Sequence, residues 1–79
     1  DERELILERN RLDSLIRNAR RAMVEIGKSL PLEDQQMING ILNEAEEMMK
    51  SESVAQIQDQ LGKVESAANR ITAAMLTMA

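Results

Sequence analysis

The chain has 79 residues, a formal net charge of −4, and no Cys, His, Phe, Tyr or Trp. Without cysteine there is no disulfide framework and no thiolate metal site, and without histidine the commonest general base and metal ligand are missing. With no aromatic ring there is nothing to stack on a nucleic-acid base or to cage a cation.

A chain this short makes at most one small domain, whose core must pack efficiently. Its charge is uneven. Residues 1–28 carry seven basic and six acidic side chains, and residues 29–79 carry three basic and eight acidic. That balance argues against nucleic acid or an anionic membrane as the main partner. No stretch approaches the roughly 20 apolar residues of a membrane span. The chain opens in charged residues with no secretory signal, as a segment from inside a longer helix would.

The first helix is expected over 1–27. Leu12, Leu15, Ile16, Ala19, Ala22, Met23 and Ile26 recur at the spacing of one helical face. Gly27 stands where a C-cap glycine belongs. Residues 1–11 carry only Leu5, Ile6 and Leu7 as apolar groups between charged turns, and read as a helical extension protruding beyond the core. Gly27-Lys28-Ser29-Leu30-Pro31 breaks the pattern, because Pro31 disfavours helix at Leu30 and suits a new first turn.

The second helix is expected over 32–50, with Met37, Ile38, Ile41, Leu42, Ala45, Met48 and Met49 as its stripe. Gly40 inside it costs roughly 1 kcal/mol against Ala, which suggests a close approach of helices. The third is expected over 53–78. Ser53 and Gln56 fit a capping box, and Val54, Ile57, Leu61, Val64, Ala68, Ile71, Met75 and Met78 alternate by three and four. The whole is an all-α, antiparallel three-helix bundle with a long, protruding N-terminal helix. Burial of the three stripes, at about 25 cal/mol per Å², opposes the loss of chain entropy.

Few residues suggest chemistry. The methionines, Met23, Met37, Met48, Met49, Met75 and Met78, suit gap-filling in a core without aromatics better than a binding surface, with Met75, Leu76 and Met78 the most exposed of the C-terminal end. Glu44, Glu46 and Glu47 read as a solvated face rather than a metal site. Arg17, Arg20 and Arg21 read as surface arginines with intrahelical partners, Asp13 before Arg17 and Glu25 after Arg21, rather than as a phosphate site. The serines have no activating base, and no phosphate loop is present. No metal, no cofactor and no catalytic residue are expected, and the chain is not read as an enzyme.

Glu8-Arg9-Asn10, then Asp13, the break Lys28-Ser29-Leu30-Pro31, the acidic pair Glu33-Asp34, the close at Met49-Lys50, the link Ser51-Glu52-Ser53, and then Ile57 and Leu61 follow one another in an order that resembles the C-terminal helical lid of DnaK-type, seventy-kilodalton heat-shock chaperones. The likeness covers roughly Leu5 to Leu76, and the Leu-Pro break with its acidic pair is its most specific part. It implies a parent in which an ATPase domain, with its ATP or ADP, governs a β-sandwich that grips unfolded polypeptides in protein folding and the stress response. The lid would close over that sandwich.

By the same resemblance Asp13 would latch to an arginine of the sandwich, with Arg17 at a neighbouring contact where bacterial members often carry His. The partners implied are the parent's own sandwich and, indirectly, its clients. Weak self-association through Leu5, Ile6 and Leu7 and a cytoplasmic setting are further expectations. The rival reading is an independent three-helix adaptor that binds a partner helix in an apolar groove.

Overall fold

In a computed structural model, residues 2–78 are described, with the side chain of Met78 outside that description. Helix α1 spans Glu2–Ile26, a 3-10 turn covers Gly27–Ser29, α2 spans Leu32–Met48 and α3 spans Val54–Met78. Among the described residues there is no strand. The molecule is a rod of 43 × 20 × 16 Å.

The core is the set of stripes read from the sequence. Leu12, Ile16 and Ala19 of α1 meet Ile38, Leu42 and Ala45 of α2 and Ile57, Leu61, Val64, Ala67 and Ile71 of α3, with Leu30 closing the end. Side-chain contacts give the directions. Arg20 of α1 reaches Asn43 and Glu46 while Arg9 reaches Ser51, and Glu44 meets Gln60 and Lys63 while Asp34 meets Arg70. So α2 runs against both long helices, and α1 and α3 run side by side in the same sense.

The all-α three-helix bundle is as expected, and its boundaries lie within two residues of those read from periodicity. The protruding extension is shorter than expected. Glu2, Arg3 and Glu4 are exposed, but from Leu5 onward one side of α1 is packed. Glu8 is buried and pairs with Arg11 Nη1 at 3.6 Å. Arg9 Nη2 donates to the Ser51 carbonyl at 2.7 Å and ties these turns to the α2–α3 link. The cause is length: α3 has 25 residues, as does α1, and beginning at Val54 it lies beside the start of α1.

Two glycines act otherwise than expected. No glycine has positive φ, so Gly27 is not a left-handed cap. It is buried in the 3-10 turn, where a Cβ would stand 3.5 Å from Met23 Cε, an ordinary contact. Gly40 is exposed with nothing within 4 Å of an added Cβ, so no close helix approach explains it.

At the start of α2 the Pro31 carbonyl accepts from Gln35 N at 3.0 Å, and the Gln35 amide reaches back to the Leu30 carbonyl at 2.8 Å. The start of α3 is a capping box closed through one more residue. Gln56 N donates to Ser53 Oγ at 3.3 Å, Ser53 N donates to Ser51 Oγ at 3.0 Å, and Ser51 Oγ donates to Gln56 Oε1 at 2.6 Å. These bonds satisfy amide groups that a helix start leaves open.

Candidate functional site

The residues that bear on function lie along α1. Leu12, Ile16 and Ala19 are buried, which fixes the rotation of the helix. At about 100° per residue, Asp13 and Arg17 are then turned to the flank of α1 that neither α2 nor α3 covers. Arg17 Nε stands 3.1 Å from Asp13 Oδ2, and the two side chains are 77% and 38% exposed. An ion pair this open to water contributes only a few tenths of a kcal/mol to the helix, about 0.3–0.5. Both groups therefore remain available to a partner at little cost.

The basic group does not act as one patch. Arg20 is held by Glu46 Oε1 at 2.8 Å and Asn43 Oδ1 at 3.0 Å, and so bridges α1 to α2. Arg21 is exposed, and among the described residues no ion pair joins it to Glu25. The acidic trio is likewise dispersed. Glu46 takes Arg20, and Glu44 Oε1 accepts from Gln60 Nε2 at 3.2 Å with Lys63 Nζ at 3.7 Å. Among the described residues no group of three or more His, Cys, Asp or Glu is placed to hold a metal ion. No helix among them is long and apolar enough to cross a membrane.

Of the methionines, Met23, Met49 and Met75 pack against the core, Met48 is half-buried and Met37 is exposed. Leu76 is exposed as expected, Met75 is not, and the expectation for the Met78 side chain falls outside the described residues. A groove of about 400 Å³ lies between the start of α2 and the end of α3, lined by Leu30, Ile38, Ala73 and Ala74 and rimmed by the Asp34–Arg70 pair at 3.6 Å.

Two features were not foreseen. Gln60 is only 1% exposed and sits in the core, with its Oε1 lacking a hydrogen-bond partner among the described residues. Arg9 is half-buried, its Nε also without a partner among the described residues. Gln60 lies one residue off the three-four seam, on the side of α3 that meets α2, as does Ala67, which is buried where Ala68 was expected. A helix seated against two neighbours buries a wider stripe than one seam; that width was the only signal available.

No protein-family model matches the chain. No solved structure matches it either.

Proposed function

We propose that this chain is the helical lid of the peptide-binding region of a DnaK-type chaperone, with Asp13 as the residue that latches it and Arg17 beside it. The observation that carries the reading is the placement of Asp13: an accessible carboxylate on a long helix whose opposite side is braced by a packed core. Close packing resists bending, so the bundle gives the helix the stiffness a lid needs. A partly exposed ion pair, worth about 1 kcal/mol, holds a lid while letting it open in each cycle. The lid itself carries no chemistry; ATP turnover belongs to the parent's ATPase domain, and the proposed setting is the cytoplasm.

The test is Asp13→Asn in the full-length chaperone. Release of a bound fluorescent peptide should quicken about fivefold, the change that ~1 kcal/mol makes in a rate, with the lid still folded by circular dichroism. Unchanged release overturns Asp13 as the latch.

A second reading has one observation in its favour. A lid working as a free lever leaves its leading turns bare, whereas here Leu5 packs against the core, Glu8 is buried and Arg9 is bonded to the Ser51 carbonyl of the α2–α3 link. A self-contained adaptor would be packed in this way, and the groove beside Leu30 would seat its partner helix. Even so, α1 is one unbroken helix and its first residues, Glu2, Arg3 and Glu4, are exposed. Ala73→Glu separates the readings, because it puts a charge in the wall of an adaptor's groove and leaves peptide release from a lid untouched.

A further inference from the structure

The open flank of α1 carries a pattern that a lid or an adaptor does not require. Ile6, Asn10, Asp13, Arg17 and Val24 fall on one seam of coiled-coil spacing, whose remaining position, Arg20, lies at the edge toward α2 and is held there by Glu46 and Asn43. The seam is distinct from the one that Leu5, Leu12, Ile16 and Ala19 turn to the core. Its two ends are aliphatic and uncovered, with Ile6 55% and Val24 84% exposed, about 27 Å apart along the helix. Its middle is the Asp13–Arg17 pair.

The sequence of this seam is symmetric about position 15. Ile6 and Val24 stand equally far from it, and so do Asp13 and Arg17. When a second α1 is laid antiparallel along the seam, each Ile6 meets the other copy's Val24. Each Asp13 meets the other copy's Arg17, which closes the two intrahelical pairs into a ring of four alternating charges. A parallel arrangement would instead set Asp13 on Asp13 and Arg17 on Arg17, which repel.

We propose that the open face of α1 is a self-recognition surface, on which two copies of this chain pair antiparallel about a two-fold axis. The interface is isologous, the same patch serving both partners. It is narrow, with an aliphatic contact at each end and ions between, so the dimer is weak and sensitive to salt. The inference does not depend on the lid reading, although both use Asp13 and Arg17. In a lid, a second copy and the sandwich would compete for one face.

The test is a charge swap read by sedimentation equilibrium on the 79-residue chain. The wild type should show a reversible monomer–dimer equilibrium with Kd on the order of hundreds of micromolar, weakened by added salt. Asp13→Arg alone and Arg17→Asp alone should each weaken pairing at least about tenfold, since each sets like charges opposite one another. An equimolar mixture of the two variants should form a mixed dimer within about threefold of the wild-type Kd, because every charge then faces its opposite. Circular dichroism checks that both variants are folded, and the mixture confirms it independently.

The proposal is overturned by a wild type that is monomeric at about 1 mM, by single variants that pair as well as the wild type, or by a mixture that stays monomeric. Loss of pairing on Ala73→Glu with the charge swaps silent would place the contact at the α2–α3 groove and overturn it as well. Peptide-release kinetics of the full-length Asp13→Asn variant report on the latch alone, so the two readings can fail separately.

Discussion

Replacing Gln60 by leucine should make the bundle more stable. Gln60 is inside the core, between Ile57 and Val64 on α3, and its amide is only half used. Nε2 donates to Glu44 Oε1 at 3.2 Å, but Oε1 is buried with no partner among the described residues. An unsatisfied buried carbonyl costs about 1–3 kcal/mol, and leucine of similar volume removes that cost while adding apolar contact. On the other side, the substitution loses one hydrogen bond to a carboxylate. Glu44 is 54% exposed and keeps Lys63, so that loss is near the lower end of the usual range, about 1 kcal/mol.

The balance favours Gln60→Leu by about 1–2 kcal/mol, with Tm rising by roughly 4–8 °C per kcal/mol in a domain of this size. Thermal and urea unfolding followed by far-UV circular dichroism measure it, the urea midpoint rising with unchanged slope. A double-mutant cycle sharpens the test. Glu44→Ala should cost about 1 kcal/mol or more in the wild type, where it strands the Gln60 amide, and much less in the Gln60→Leu background, where no amide is left to strand. A Gln60→Leu chain less stable than the wild type refutes the reasoning, since Oε1 would then have a partner, such as a bridging water, worth more than the packing gained.

Gly40→Ala and Gly62→Ala should each stabilise the chain by about 0.5–1 kcal/mol, because both lie in helix interiors with nothing within 4 Å of the added Cβ. A lower Tm in either would mean that the backbone there has a use beyond helix. Arg9→Ala should leave the core intact but loosen its end: amide exchange of residues 2–8 should quicken at least about fivefold with the loss of a bond worth about 1 kcal/mol, and Arg9→Lys should fall between. Uniform quickening along the whole chain would instead make Arg9 a global stability residue.

The interior was legible because helical periodicity is a physical requirement of a buried stripe. Leu12, Ile16, Leu42, Ile57 and Val64 could be read as core from spacing alone. Three kinds of residue were not. Gln60 and Ala67 are buried because α3 faces two neighbours, and the angle between those neighbours is a tertiary quantity that spacing along one helix does not encode. Arg9 and Glu8 read as solvent-facing charges; that the α2–α3 link would arrive beside Arg9, and that Glu8 would be buried, depends on where α3 begins. Gly40 was given a packing role because a glycine in a helix invites one, and the structure supplies no neighbour. The candidate site was legible in part. Asp13 came from a resemblance rather than from chemistry, and the symmetry of the seam that contains it emerges only once the core has fixed which side of α1 is open.

The parallel course of α1 and α3 has a mechanical consequence. A chain that goes up, down and up again enters a rod at one pole and leaves it at the other, some 43 Å away. Tension applied through the first and third helices is therefore borne as sliding between two long, interlocked surfaces, where many contacts must break together. A bundle whose ends shared one pole would come apart like a zip, one layer at a time. Joined in line between other parts of a polypeptide, this module would carry load along its axis as a strut does.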